Sequence, residues 1–193
     1  MINVIHDAKS PILSILICTL PDRIVELRRL VDCLTAQIKN ELSDSIEILT
    51  EDTPRGNETT GKKRDLLLKA SSGKYISFVD DDDMVSHDYI QRVIEASKQE
   101  VDCIGMCGLH KRNNTHDWMF RHSITVSRWC SDPRRAIYYR TPNHLNPVKR
   151  EHAIATGFKN ITYAEDKDYS DRIKPLLKTE VFLERPIYFY LDY

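Results

Sequence analysis

The sequence predicts an α/β fold: a mostly parallel central sheet flanked by helices, in a single compact domain. Three observations carry this. Residues 12–19, ILSILICT, form a short, mainly apolar run of strand length, as expected for a strand buried on both faces. Apolar residues then recur in steps of three and four at Ile24, Leu27, Leu30, Val31, Leu34 and Ile38, which is one helical face. A second strand-like run at 45–49 completes a β-α-β unit, and such a unit needs a parallel sheet with a crossover helix.

The remaining elements follow in order. Asp22 is the expected N-cap of the first helix. The polar segment 51–61, EDTPRGNETTG, reads as a loop, and a helix is expected over 62–71 with Gly73 as its stop. YISFV at 75–79 is a third strand, which runs straight into four aspartates. Ser86 is the expected cap of a helix that buries Ile90, Val93, Ile94 and Ser97. Residues 101–109 form a further strand. The stretch 110–133 gives no assignable pattern, and 134–140 reads as extended. A loop at 142–147, a short helix at 149–156 stopped by Gly157, a helix at 165–173 and a strand pair around Pro186 complete the chain.

Composition excludes several classes. The 193 residues carry 28 Lys plus Arg against 29 Asp plus Glu, so net charge gives no case for a nucleic-acid protein. No apolar run approaches the roughly 18 residues of a membrane span. The N-terminal residues lack the pattern of a signal peptide. Five cysteines without a C-x-x-C pair point to reduced thiols and a cytoplasmic location.

The strongest motif is FVDDDDM at 78–84. Four adjacent carboxylates repel each other unless a cation neutralises them. They also stand at the C-terminal end of a buried strand, the edge where open α/β sheets bind ligands. Alternation puts Asp80 and Asp82 on one face. Hard oxygen ligands so spaced suit Mg²⁺ or Mn²⁺ bridging a diphosphate. GNETTGKK at 56–63 imitates a phosphate loop, but Lys63 stands where the metal-binding hydroxyl belongs. No glycine precedes Gly56, so no dinucleotide fingerprint follows the first strand. What remains is a basic helix start, Lys62, Lys63 and Arg64, suited to phosphate. Late in the chain, Glu165, Asp166, Asp168 and Asp171 offer either helix-end charges and an Asp168–Arg172 pair or a general base. His144 and Asn146 sit in a proline-bracketed loop, with His144 a candidate metal ligand or acceptor contact. The other histidines, His116 among them, show no metal-ligand spacing.

The order of these pieces resembles glycosyltransferase family 2, with its GT-A, Rossmann-like fold. The resembling parts are ILSILICTLPDR, the acidic pair Glu51-Asp52, TGKKRDLLLKASSGKYISFVDDDD and the late AED segment, together spanning about residues 12–172. The block 61–83 is the specific part. The resemblance implies an inverting, metal-dependent transfer from a nucleotide-sugar donor, a UDP-sugar by preference, to an acceptor hydroxyl. Thr19 and Pro21 match the loop along the nucleobase, and Asp52, with Glu51 beside it, matches the position that reads base or ribose. Arg64, with Lys62 and Lys63, matches the basic group near the diphosphate. Asp80 and Asp81 stand at the donor, and Asp82, with Asp80 and His144, at the Mn²⁺ or Mg²⁺. Asp83 supports the metal ligand, Asp166 matches the catalytic base with Glu165 beside it, and His144 and Asn146 face the acceptor.

The resemblance also implies two halves. Residues 1–110 hold the donor, and 111–193 hold the acceptor and the base. The chain is short for the family, which leaves little acceptor-binding addition. It also has no Q-x-x-R-W segment and no membrane span, which argues against a processive polysaccharide synthase. A glycan or protein acceptor is favoured. The basic residues Arg128, Arg134, Arg135, Arg140, Lys149 and Arg150, interleaved with Trp118, Trp129, Tyr138 and Tyr139, keep a modified nucleic-acid base open. The rival classes are a sugar-phosphate nucleotidyltransferase and a catalytically degenerate nucleotide-binding module.

Overall fold

The computed structural model describes residues 1–111 and 117–191; His116 lies outside them. Its strands are β1 (Ile2–His6), β2 (Leu13–Cys18), β3 (Ile46–Glu51), β4 (Tyr75–Phe78), β5 (Met84–Val85), β6 (Cys103–Lys111), β7 (Trp118–His122), β8 (Cys130–Asp132), β9 (Ile137–Arg140), β10 (Val148–Lys149) and β11 (Glu180–Leu191). Its helices are α1 (Ile24–Thr35), α2 (Thr60–Ala70), α3 (Tyr89–Ser97), α4 (Arg150–Thr156) and α5 (Glu165–Ile173).

Among the described residues one mixed sheet runs in the order β1-β3-β2-β4-β10-β6-β7-β9-β8, with β11 pairing β6 and β5. Its centre is parallel: β2 pairs in parallel with both β3 and β4. The chain runs from β2 through α1 to β3 on one side, then crosses back through α2 to β4 on the other, so the strand order reverses between β2 and β4. Ligand crevices open at such a reversal, beyond the C-terminal strand ends. β11 runs parallel to β6, and β1, β10 and β7 add antiparallel neighbours.

Strand alternation builds two cores. Leu13, Ile15, Ile17, Ile46, Ile48 and Tyr75 face α1 and α3 and meet Leu30, Leu34, Ile90, Val93 and Ile94. Leu16, Leu49, Ile76 and Phe78 face the other way, onto Leu67 and Leu68 of α2, Ala153 of α4, and Tyr169 and Ile173 of α5. Both faces are covered, so the strands read as continuous apolar runs. Each fully buried aliphatic side chain contributes about 1.5–3 kcal/mol. The buried carboxylate of Glu47, on β3, is held by Ser14 Oγ, Ser72 Oγ and the Ser72 N–H.

Several expected boundaries shift. β1 is an edge strand that the sequence pattern does not announce. α1 starts after Arg23, and Asp22 does not cap it. Asp88, not Ser86, precedes α3, and Ser86 Oγ instead donates to the Asp88 carboxylate at 2.6 Å. α2 ends at Ala70 with Ser71 as its cap. Gly73 instead permits a close approach. A Cβ there would lie 2.6 Å from Ser14 Oγ and 2.7 Å from Ser14 N, so strand and turn close only on glycine. The unassigned stretch 110–133 holds β7 and β8. The expected closing pair is one strand, β11, whose register against β6 slips between Leu183 and Tyr188, where Pro186 offers no N–H.

Candidate active site

Two cavities open over the C-terminal strand ends. The larger, of about 720 Å³, is walled by Cys18, Thr19, Leu20 and Arg23 beyond β2, by residues 55–60 beyond β3, and by Lys63 and Arg64 of α2. Asp80, Asp81, Asp82, Asn160, Thr162, Tyr163 and Tyr190 complete it. The smaller, of about 400 Å³, is lined by Asp80, His110, Phe120, His122, Trp129, Tyr138, Arg140, Asn143, His144, Leu145, Asp166 and Tyr190. Asp80 and Tyr190 belong to both, so the two cavities meet there.

Asp80 pairs with Arg64 at 3.0 Å, and His144 Nε2 lies 3.3 Å from its other oxygen. Burial alone would raise the Asp80 carboxyl, but the Arg64 guanidinium, then His144, hold it well below the usual carboxylate range. Asp81 is buried and accepts from Thr19 Oγ1 at 2.7 Å and Arg23 at 2.8 Å. Burial outweighs these bonds, and its pKa is raised. Asp82 is 38% exposed and pairs with Arg23 at 2.9 Å. Asp83 faces away from the cavities. It accepts from Tyr188 Oη at 2.7 Å and from the Leu191 N–H at 2.9 Å, while the Tyr188 oxygen accepts the Asp80 N–H. Burial, then the Asp80 charge, push Asp83 up to about 8.

Arg64 is almost fully buried and reaches Glu165 at 3.6 Å as well as Asp80, so one guanidinium ties the aspartate run to the start of α5. Lys63 lines the larger cavity, but its ammonium is bound by the carbonyls of Thr19 and Thr53 and lies 3.5 Å from Glu51. Lys63 therefore clamps the loops after β2 and β3 together. At α2 the expected anion-binding end is already in use. The Gly61 N–H donates to the Ile161 carbonyl, and those of Lys62 and Lys63 to Thr59.

Asp166 and Asp168 separate cleanly. Asp166 lines the smaller cavity. Asp168 is held by Lys159 and by Arg172, whose Nη2 lies 2.6 Å away. Ala164, in the left-handed conformation at φ 58°, turns the chain into α5.

The smaller cavity has an aromatic wall. Tyr138 packs on Trp118 at 4.7 Å, Arg140 lies between Tyr138 and Trp129 at 4.9 and 5.0 Å, and Lys167 covers Trp129. His122 and His144 are buried in this wall, each with an Nδ1 that has no hydrogen-bond partner.

Not every expected site residue reaches a cavity. Pro21 is exposed, and Lys62 turns aside from α2's cavity face. Glu51 is buried beneath Lys63, and Asp52 bonds to Asn3 and the Met1 amine beside the wall. Asn146 is fully buried: it donates to the Ile104 carbonyl and accepts the Asn143 N–H, which fixes the 142–147 loop from behind instead of facing an acceptor. Among the described residues no three His, Cys, Asp or Glu side chains converge as a ready-made metal cage, so Asp80, Asp82 and His144 do not form one. The basic cluster also disperses. Arg140 faces the smaller cavity, Arg135 pairs with Asp132, Lys149 with Asp102, and Arg150 reaches Ser71. β9 and β10 stand three strands apart, about 14 Å. Arg23, Arg55, Asn57, Tyr163 and Tyr190 line the larger cavity without having been expected there. Only Arg23, directly after the first strand, carries a local signal.

A mixed α/β sheet that reverses between β2 and β4, with an aspartate-lined cavity at the reversal, is the arrangement of the GT-A fold. The chain belongs to glycosyltransferase family 2, whose model, "Glycosyl transferase family 2", matches residues 23–162. The match ends before Glu165 and Asp166. No individual curated protein matches the sequence. Similar solved structures include S. aureus TarS 1–349, at TM-score 0.67 and 13% identity over 93% of this chain and 60% of that one. The same TarS fragment in complex with UDP-GlcNAc gives TM-score 0.69 and 12% identity over 94% and 58%. Its complex with UDP gives 0.68 and 12% over 93% and 60%. The chain thus spans about three-fifths of these structures. Among the described residues no helix is long and apolar enough to cross a membrane.

Proposed function

We propose that the protein moves a sugar from a nucleotide-sugar donor to an acceptor hydroxyl with inversion at the anomeric carbon. The observation that carries this is the junction of the two cavities at Asp80. A donor in the larger cavity would present its anomeric carbon to an acceptor in the smaller one, where Asp166 stands. Residues 1–110 then supply most of the donor site, and 111–193 the acceptor wall and the base. The UDP and UDP-GlcNAc bound by TarS support a uridine donor.

In this reading Asp166 accepts the proton of the attacking hydroxyl. Thr19, Leu20 and the 55–60 loop cradle the nucleoside, and Arg64 screens charge growing on the departing diphosphate. Glu165 is a positioning residue that aims Arg64. The donor set fits a divalent ion, since Mg²⁺ or Mn²⁺ takes one or two carboxylates and completes its shell with phosphate and water. Asp82, with Asp80 close by in the same cavity, would hold it, and it would neutralise the diphosphate as the glycosidic bond breaks. The aromatic wall of the smaller cavity suits a glycan acceptor, and the scattered basic residues favour it over nucleic acid. The unpaired cysteines suit a reducing compartment such as the cytoplasm.

The test is incubation with Mn²⁺ and a panel of nucleotide sugars, followed by product analysis. Slow release of nucleoside diphosphate supports the reading. Pyrophosphate release from a nucleoside triphosphate and a sugar phosphate would make the protein a nucleotidyltransferase. Binding without turnover on every donor would make it a degenerate module.

A further inference from the structure

We infer that Arg23 is a built-in counter-ion for Asp82, the more exposed of the two metal-holding aspartates, and that it makes divalent-ion binding more dependent on the nucleotide. The inference rests on the donor-site reading above and concerns a residue that reading leaves without a role.

One nitrogen of Arg23, Nη1, donates to Asp81 Oδ1 at 2.8 Å and to Asp82 Oδ2 at 2.9 Å. The two carboxylates are held very differently. Asp81 is 4% exposed and also fixed by Thr19, whereas Asp82 is 38% exposed at the cavity wall. The bond to Asp82 is therefore the exchangeable one. Arg23 itself is 37% exposed, so its side chain has room to move. Its backbone stands at the N-terminal end of α1, where a cation opposes the helix dipole. The aspartates compensate for that placement.

A divalent ion entering alone must take Asp82 from a guanidinium and gains one freed carboxylate in exchange. An ion arriving with a nucleoside diphosphate gains phosphate oxygens as well, and the two phosphates offer the released guanidinium a new anionic partner. Arg23 keeps Asp81 throughout. The loop from Thr19 to Arg23 thus stays attached to the site while Asp82 changes partner. Free metal would bind weakly and nucleotide-bound metal strongly, and Arg23 would widen that difference.

Mn²⁺ binding to the whole chain, read as loss of the free-ion electron paramagnetic resonance signal, tests this with and without UDP. In the wild type, UDP should strengthen Mn²⁺ binding. Arg23→Gln should tighten Mn²⁺ binding without UDP by about tenfold, about 1.4 kcal/mol. It should also shrink the strengthening by UDP to a similar extent. Arg23→Lys should behave like the wild type, and Arg23→Gln with Asp82→Asn should lose the gain. A thermal melt of each variant confirms folding. If Arg23→Gln binds Mn²⁺ no more tightly than the wild type, while Asp82→Asn still abolishes UDP-dependent binding, the counter-ion role is wrong and the donor-site metal stands. If no form binds Mn²⁺ with UDP, both fall together.

Discussion

Replacing Asp166 and Asp168 by Asn one at a time separates two carboxylates that lie two residues apart on one helix. The structure gives them different surroundings. Asp166 lines the cavity proposed for the acceptor and accepts a local bond from the Lys167 N–H at 2.7 Å. Asp168 is enclosed by Lys159 and Arg172, and that arginine also donates to the Thr156 and Gly157 carbonyls. Asp166→Asn keeps the shape and removes the basicity. It should slow sugar transfer by about 10²- to 10⁴-fold, which raises the barrier by about 3–5 kcal/mol. The melting temperature should stay within about a degree, and UDP should bind as before.

Asp168→Asn should do the opposite. It removes the charge from a pair whose partners are partly exposed, so about 1 kcal/mol is at stake, equivalent to about 2–4 °C for a chain of this size. Transfer at a temperature well below the melt should remain near normal. The assay is release of nucleoside diphosphate from the preferred donor in the presence of a glycoside panel, beside a thermal melt of each variant. Near-normal transfer by Asp166→Asn, or loss of transfer by an Asp168→Asn protein that melts like the wild type, would refute the assignment of roles.

Three further outcomes follow from particular contacts. Gly61→Ala puts a Cβ 2.0 Å from the Lys159 carbonyl and 2.9 Å from that of Ile161. It should cost at least about 2 kcal/mol and disturb the segment leading to Asp166, seen as a lower urea midpoint together with lost transfer. Ala164→Gly relieves a left-handed residue and should raise the melting temperature by about 2–4 °C, whereas Ala164→Val should lower it. Asp102 accepts from the Lys178 and Thr179 N–H groups and lies 3.2 Å from both Lys149 and His152. Burial would raise its carboxyl, but these partners hold it below the usual carboxylate range. A depressed folded-state pKa contributes stability above about pH 4 that is lost as the pH falls further. Asp102→Ala should therefore cost about 2–3 kcal/mol at pH 7, and the gap to the wild type should close on acidification below about pH 4, as followed by denaturant melts across pH.

The sheet around β2 was legible because its information is local. Strand-length apolar runs, helical spacing at 24–38 and an acidic strand end each announce themselves within a few residues. The smaller cavity was not legible, since its walls come from β6, β7, β9, the 142–147 loop and α5, and they meet only through long-range pairing. β7 has just two of its five residues buried, and β8 has none, so neither leaves an alternating trace. Lys62, Lys63 and Arg64 show the limit of a motif. The run promised three phosphate contacts, but helical geometry turns Lys62 away and commits Lys63 to loop carbonyls. Only Arg64 then reaches the place where the cavities meet. Asn146 failed for a related reason: sequence marks a polar loop residue, and only the fold reveals that its amide is spent on the backbone behind it.

The four aspartates are tolerable because the fold does not ask all four to carry charge in one place. Asp80 is neutralised by Arg64, with His144 against its second oxygen. Asp81 and Asp82 share Arg23. Asp83, pushed up to about 8 by burial and then by Asp80, ties β11 to the run through Tyr188. The run is set against two arginines, and the raised Asp83 carboxyl lessens the charge they must balance. The excess sits on Asp82, the member with the greatest exposure and the loosest hold. Arg64 extends the same neutralisation to Glu165, so the aspartate run and the start of α5, far apart in sequence, share one buried cation. A change in how strongly Asp80 draws on that guanidinium is therefore felt at the start of α5, one residue from Asp166. On the proposed function, donor occupancy and alignment of the base would be linked through a side chain that need not touch the acceptor.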